Sequence, residues 1–147
     1  MTSIYITWEQ IEWNCKVIAD KVRGQEFKNI YGIPRGGLIP AVIISHYLES
    51  KLPIITSFDQ ISNETLVVDD IVDSGMTWIN MLRELRHRKV HPKIATLFYY
   101  LDSSAIPEFY SDIKEDKNLW FIFPWEQLST SKYDKTVETL KLNKDNN

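Results

Sequence analysis

The sequence predicts an α/β protein built on a parallel sheet flanked by helices. Apolar, strand-like segments alternate along the chain with amphipathic, helix-like segments, an order typical of parallel sheets. Leu66, Val67 and Val68 form a continuous apolar run, as expected for a central strand buried on both faces. Acidic residues follow this run, at the edge where ligands bind in open α/β sheets.

The elements can be predicted in order along the chain. Thr7 and Gln10 form a capping box for the first helix, and Cys15 lies on the apolar side of that helix. Residues 1–130 are predicted to form a single domain, followed by a polar C-terminal tail over 131–147. The predicted elements are a helix over 8–22, strand 29–33, a helix from 38 to about 49, strands 54–57 and 65–69, a helix from 77 to about 89, and strand 93–100.

Composition narrows the class of protein. The net charge is −3 and no basic patch is interleaved with aromatic residues, so we expect no nucleic-acid partner. The single cysteine, Cys15, cannot form an internal disulfide, and core packing is its expected role. No apolar run approaches the ~18 residues of a membrane span and no signal sequence leads the chain. We therefore expect a cytoplasmic protein without a membrane partner.

The most informative motif follows the apolar run of residues 66–68. Two adjacent carboxylates, a third carboxylate and a Ser-Gly-x-Thr turn come in quick succession. Ser74 and Thr77 are predicted to cap the next helix, and Gly75 lets the backbone approach a phosphate at the positive helix end. An ordinary strand–turn–helix with a good cap is the alternative, but it does not explain three acids at one strand end. We call these residues the acid string: Asp69, Asp70, Asp73, Ser74, Gly75, Met76 and Thr77.

A second motif, which we call the basic loop, is Pro-Arg-Gly-Gly at residues 34–37. It follows the predicted strand 29–33 and precedes an apolar helix. Arg35 can form bidentate bonds to phosphate oxygens, and Gly36 and Gly37 permit close backbone approach. Taken alone, the motif is more simply a plain loop. Its position one βαβ unit before the acid string indicates a pyrophosphate site.

Together these motifs resemble those of the type I phosphoribosyltransferases, which use 5-phosphoribosyl-1-pyrophosphate (PRPP). The resemblance implies a type I phosphoribosyltransferase-like fold with a small hood, formed here by the N-terminal segment and about 100–130. It also implies that Asp69 and Asp70 face the ribose hydroxyls and Mg²⁺, and that Asp73 holds the purine N7 proton. The remaining implied contacts are the 5-phosphate with Ser74, Gly75, Met76 and Thr77, and the pyrophosphate with Arg35, Gly36 and Gly37.

An aromatic segment near residue 120 narrows the resemblance. Trp120 or Phe121 can stack on a planar base, whereas a small aromatic core is the preferred interpretation of Phe123 and Trp125. The segment resembles that of the bacterial xanthine-guanine phosphoribosyltransferases, in which its first tryptophan, here Trp120, stacks on the purine. The matching residues are Tyr5, Thr7, Trp8, Glu9, Trp120, Pro124, Trp125 and Glu126.

Two positions depart from this branch. Tyr100 stands where the branch has a lysine that contacts the exocyclic oxygen of the purine, so Tyr100 is the candidate for this contact. Only residues 58–65 remain where family members carry a long flexible hairpin that closes over PRPP. A lid normally excludes water from the reaction centre. The short segment therefore leaves three alternatives open: slow turnover, leakage to hydrolysis, or dependence on a neighbouring subunit.

The leading hypothesis is a magnesium-dependent purine phosphoribosyltransferase that acts in nucleotide salvage. Its expected partners are PRPP, a purine base or nucleotide, and further copies of the chain in a dimer or tetramer. The alternative is a PRPP- or nucleotide-binding regulator with little or no activity, which the short lid and the missing lysine favour. A Rossmann oxidoreductase is disfavoured because no Gly-x-Gly-x-x-Gly follows a strand.

Overall fold

The computed structural model describes residues 2–129 and confirms the predicted α/β fold. Two short 3-10 helices, Phe58–Gln60 and Pro124–Ser129, accompany the main elements. The predicted tail over 131–147 lies outside the described residues. The elements are β1 (Thr2–Tyr5), α1 (Trp8–Val22), β2 (Asn29–Gly32), α2 (Leu38–Tyr47), β3 (Ile54–Ile55), β4 (Thr65–Val72), α3 (Met76–His87), β5 (Lys93–Tyr100), β6 (Phe109–Lys114) and β7 (Leu119–Ile122).

Five of these strands form one parallel sheet in the order β3-β2-β4-β5-β6. Strand β4 is central, as its continuous apolar run predicts. Helix α2 leads from β2 to β3, whereas α3 leads from β4 to β5 in the opposite direction along the sheet. Because such crossovers are right-handed, the two helices cover opposite faces. The direction of winding therefore switches between β2 and β4, which is where ligands bind in such sheets.

The core lies on both faces of this sheet. On one face, Val67 and Tyr99 pack with Trp78 and Leu85 of α3. Cys15 of α1 is fully buried, with its Sγ 3.9 Å from the Pro40 carbonyl oxygen, which confirms its packing role. Burial raises the pKa of this thiol to about 12. Among the described residues, no helix combines the length and the apolar character that a membrane crossing requires.

The chain divides into two compact units, of which residues 9–117 form the larger. The described part of the smaller unit comprises residues 2–8 and 118–129, where β1 and β7 pair in parallel. In that unit Phe123 stacks on Trp125 with ring centroids 5.0 Å apart, and Trp8 meets the edge of Trp125 at 6.0 Å. Phe123 and Trp125 thus form a small aromatic core.

The smaller unit is narrower than the predicted hood over about 100–130. Strand β6 pairs with β5 and so belongs to the larger sheet. The single-domain organisation over 1–130 remains a prediction.

Candidate functional site

The acid string begins where β4 extends beyond its neighbour β2. Strand β2 ends at Gly32, which pairs with Val68, whereas β4 continues to Val72. The predicted end at residue 69 was therefore three residues short. Pairing of Val72 with Tyr99 of β5 keeps this part of the chain extended, although acidic residues are usually depleted in strands. Residues 69–72 thus lie beside the space beyond the end of β2.

The basic loop turns through that space. The Ile33 N–H donates to the Val68 carbonyl at 2.9 Å, which keeps the start of the loop beside β4. A Cβ atom at Gly36 would lie 2.0 Å from Oδ2 of Asp70, so only glycine allows this approach with the carboxylate in place. Arg35 is exposed, and its peptide bond to Pro34 is cis. The structure thus brings the basic loop and the acid string together.

The two leading carboxylates destabilise one another's charge. Asp69 accepts a hydrogen bond from the Asp70 N–H at 2.9 Å. Burial raises the pKa of Asp69 to about 8, and the neighbouring charge of Asp70 contributes to the same shift. The indole N–H of Trp78 favours the charged form of the Asp69 carboxyl. This N–H lies outside hydrogen-bond geometry and has no other partner among the described residues. A cation or hydroxyl donors at this site would relieve the repulsion.

The turn that follows departs from the predicted cap. Helix α3 begins at Met76 with Gly75 as its N-cap, without a side-chain capping bond. Ser74 Oγ instead accepts from the Met76 N–H at 3.3 Å, and Thr77 is already inside the helix, so the predicted capping roles of Ser74 and Thr77 were wrong. Gly75 adopts a left-handed conformation (φ +85°), which a residue with a Cβ atom rarely occupies.

Gly75 is also tightly enclosed. A Cβ atom there would lie 2.7 Å from both Ala105 N and Ser103 Oγ. Beside this turn lies a cavity of about 120 Å³, which can hold a small anion at the positive end of α3. Its lining residues are Asp69, Ile71, Asp73, Ser74, Gly75, Thr77 and Trp78.

The structure adds a residue that the sequence did not single out. Lys114, the last residue of β6, donates from Nζ to Asp73 Oδ2 at 3.2 Å. The Lys114 side chain is 2% exposed and that of Asp73 44%. The preceding residue, Ile113, is exposed instead. In β6 a buried lysine therefore stands beside an exposed isoleucine, which could indicate a functional lysine. This pattern can be recognised only after the strand has been assigned to the edge of the sheet.

The three predicted base contacts do not all lie in one unit. Tyr100 ends β5, and its hydroxyl is 3.4 Å from Asp102 Oδ2. Desolvation raises the pKa of Tyr100, and the charge of Asp102 adds to this effect. Trp120 and Phe121 lie on β7 of the smaller unit, where Trp120 is 53% exposed and Phe121 is half-buried. Their roles, and that of Tyr100, remain predictions.

The short segment 58–65 is held in place along its length. Ile61 is buried within the sheet core, and Gln60 and Ser57 form a reciprocal capping box. The Asn63 side chain accepts from the His91 N–H at 2.7 Å. This segment is therefore anchored, in contrast to a long mobile lid.

The donor set of the acid string is suited to Mg²⁺. No cluster of three or more His, Cys, Asp or Glu side chains suitable for a metal occurs within residues 2–129. Mg²⁺ at phosphate-binding sites commonly uses only one or two carboxylates and completes its shell with water and substrate oxygens. Asp69 and Asp70 supply such a pair of carboxylates.

Comparisons with known proteins show what the chain is similar to. The chain matches no family model. It is 26% identical over 144 residues to a xanthine-guanine phosphoribosyltransferase of Idiomarina loihiensis, covering 83% of this chain and 86% of the relative. A xanthine-guanine phosphoribosyltransferase of Cereibacter sphaeroides is 28% identical over 149 residues, with the same coverage of both chains.

A solved structure gives a similar result. The purine phosphoribosyltransferase of Pyrococcus horikoshii is 30% identical, with a TM-score of 0.71, and the match covers 86% of this chain and 95% of that one. Since this match reaches 30% identity over 86% of the chain, the chain belongs to the type I phosphoribosyltransferases, a family of PRPP-dependent glycosyltransferases, and is similar to their bacterial xanthine-guanine branch.

Proposed function

We propose that this chain is a magnesium-dependent purine phosphoribosyltransferase of nucleotide salvage that acts in the cytoplasm. It transfers the 5-phosphoribosyl group of PRPP to a purine base. The bond from the anomeric carbon to pyrophosphate breaks, a bond to a purine nitrogen forms, and the base loses a proton. The main support is the close approach of Gly36 to Asp70, which joins an anion-binding loop to a pair of carboxylates at one sheet edge.

The phosphate groups of PRPP would bind at two places. The 5-phosphate would lie in the cavity beside Ser74 and Thr77, where the backbone N–H groups at the start of α3 and the helix dipole favour an anion. The pyrophosphate would lie along the basic loop, where the exposed guanidinium of Arg35 neutralises the charge that grows as pyrophosphate departs.

The two leading carboxylates would hold the ribose and the metal. Asp69 and Asp70 accept hydrogen bonds from ribose hydroxyls and provide hard oxygen ligands for Mg²⁺. When bound, Mg²⁺ supplies positive charge to the pyrophosphate oxygens. Ionisation of Asp69 on binding would release the proton that its raised pKa retains.

Asp73 would take the proton of the base. Its side chain is 44% exposed and lines the cavity beside the turn, so a ligand can reach it. A carboxylate at hydrogen-bond distance from the N7–H of the purine can accept that proton as the ring nitrogen attacks. Lys114 fixes the orientation of this carboxylate through its 3.2 Å contact.

A second function, PRPP binding without turnover, is favoured by one observation. Residues 58–65 are short and anchored through Ile61, so they cannot fold over the reaction centre as a long hairpin would. Water that reaches the ribosyl centre competes with the base. We therefore expect measurable hydrolysis of PRPP, and a regulator that binds PRPP or a nucleotide is the alternative.

The deciding experiment incubates the protein with PRPP, Mg²⁺ and each of guanine, xanthine, hypoxanthine and adenine, and measures nucleotide by chromatography. We expect nucleotide and equivalent pyrophosphate from at least one base. In the Asp69→Asn/Asp70→Asn variant, PRPP affinity should fall by about 1.5–3 kcal/mol for each lost charge-assisted contact.

Asp59→Asn removes an exposed carboxylate outside the site and is the matched control. Tight PRPP binding without nucleotide from any base would support the regulator instead. Unchanged PRPP affinity in a folded double variant, measured by calorimetry, would refute the site. The predicted dimer or tetramer can be measured on the same samples by light scattering.

A further inference from the structure

A second cavity lies outside the candidate site. It occupies about 450 Å³ between α3, the start of β5 and the loop over 101–108 that joins β5 to β6. We call it the outer cavity. All its lining residues belong to the larger unit, and none of them lines the small cavity beside Gly75. Its volume lies within the range of about 300–1,000 Å³ that is typical of small-molecule sites.

Two arginines of α3 line the outer cavity. Arg83 and Arg86 are three residues apart, so they lie on the same side of the helix. Both are exposed, and neither forms a hydrogen bond or an ion pair with another described residue. Arg88, in contrast, is paired with Asp59 and Glu84. Guanidinium groups bind phosphate oxygens through paired hydrogen bonds, so Arg83 and Arg86 make this wall suitable for a phosphate group.

The acidic residue in the lining is bonded to the backbone instead of to the arginines. Glu108 Oε2 accepts a hydrogen bond from the Ile94 N–H at 2.7 Å, which holds this carboxylate at the start of β5. In the described part of the chain it forms no ion pair with Arg83 or Arg86. The two guanidinium groups are therefore available to an anion from solution.

The other walls of the outer cavity are largely apolar. Ile79 and Leu82 of α3 and Ile106 of the loop over 101–108 contribute to them. Ile106 is 74% exposed, so covering its side chain would be favourable. Inorganic phosphate would leave these walls in water, whereas a ligand with a planar or apolar body would cover them. The lining thus combines a side for phosphate with a side for an apolar group.

The loop over 101–108 connects the outer cavity to the turn of the acid string. Ser104 and Ala105 line the outer cavity. The Ser104 N–H also donates to the Ser74 carbonyl at 3.2 Å, and Ala105 N lies 2.7 Å from the position of a Cβ atom at Gly75. A ligand that packs on this loop would hold the turn in the conformation that we propose binds the 5-phosphate. Such coupling is reciprocal, so the ligand and PRPP would raise each other's affinity.

We propose that the outer cavity is a regulatory site for a phosphorylated small molecule with a planar or apolar body, the class to which nucleotides belong. Arg83 and Arg86 bind the phosphate, and Ile106 packs on the body. Occupancy of the site raises the affinity for PRPP through the loop over 101–108, a step that rests on the proposed function.

The first test locates the site by calorimetry with three probes: ATP, ribose 5-phosphate and inorganic phosphate. We expect ATP to bind most tightly, because only ATP joins phosphates to a planar base. In Arg83→Gln/Arg86→Gln the affinity for ATP should fall about 10- to 100-fold, as for lost charge-assisted hydrogen bonds. Arg88→Gln changes the same residue type just beyond α3 and outside the lining, and it should retain the affinity for ATP.

The second test measures the coupling. The affinity of the wild-type protein for PRPP is determined with and without saturating ATP, at constant free Mg²⁺. We expect ATP to raise this affinity about 5-fold or more, and to have no such effect in Arg83→Gln/Arg86→Gln. ATP that instead occupied the candidate active site would compete with PRPP, so the direction of the change separates the two sites.

Four outcomes would overturn the inference or part of it. Equal affinity for ATP in the wild-type protein and in Arg83→Gln/Arg86→Gln would exclude the site. Inorganic phosphate that binds as tightly as ATP would exclude a role for the apolar walls. A lower affinity for PRPP with ATP in both proteins would show competition at the active site, and an unchanged affinity would exclude regulation. If the wild-type protein binds no PRPP, the proposed function fails, and the comparison of ATP affinities still decides whether the outer cavity is a ligand site.

Discussion

The five-stranded sheet and the β1–β7 ribbon are stabilised in different ways. In β4, residues 65–68 are all buried, whereas all four residues of β1 are exposed. A two-stranded ribbon by itself is only marginally stable in water, and here the rings of Phe123 and Trp125 supply its packing. The buried core of the sheet can therefore offset the unfavourable charges of the carboxylates at its edge. In the ribbon, by contrast, exposed aromatic rings contribute little to the stability of the fold.

The largest expected effect is on turnover at the sheet edge. Asp73→Asn should lower kcat by about 10²–10⁴-fold, because the proton of the base loses its acceptor. PRPP affinity should change little, since backbone N–H groups hold the phosphate. Asp112→Asn, on the exposed part of β6, is the control for steady-state kinetics. Parallel losses in affinity and turnover would show that Asp73 acts mainly in binding.

A core truncation in β4 should have the next largest effect. Leu66 is fully buried, and Leu66→Ala should lower the free energy of unfolding by about 2–5 kcal/mol. Ile4→Ala in β1, where the side chain is 36% exposed, should cost less than about 1 kcal/mol. Denaturant titrations followed by circular dichroism measure both values. Similar losses would mean that the ribbon and the sheet are equally important for folding.

The buried acid at the edge of β4 makes the ligand-free protein sensitive to pH. The pKa of Asp69 is raised to about 8 in the folded state, so the folded protein binds more protons than the unfolded chain between about pH 4 and pH 8. Stability should therefore fall as pH rises through that window, by roughly 2 kcal/mol between about pH 6 and pH 8. Asp69→Asn should remove most of this dependence. A melting temperature of the wild type that rises toward pH 9 would contradict the shift.

The smallest effect on folding is expected in the ribbon. Trp120→Ala removes a ring that is 53% exposed, so the free energy of unfolding should change by less than about 1 kcal/mol. If Trp120 stacks on the purine, base affinity should fall by about 1–3 kcal/mol while PRPP affinity holds. Fluorescence titration with GMP and with PRPP separates the two. Unchanged affinity for GMP would exclude the stacking role.

The sequence by itself determined the features that depend only on residues close together along the chain. The bounds of α1 and β5 follow from local hydrophobic periodicity and agree with the structure. The acid string could be found because a strand, its turn and the start of a helix are consecutive. The left-handed Gly75 likewise belongs to a short turn, and the residue types of that turn indicate its backbone geometry.

Only the tertiary structure decided what depends on strands that are distant in sequence. Pairing with β5 extended β4 beyond Asp69, and the order of the strands placed the switch between β2 and β4. The contact of Lys114 with Asp73 joins residues 41 positions apart, and no local pattern encodes it. Burial of a charge is a property of the assembled sheet, because it depends on which strands and loops exclude water from that side chain.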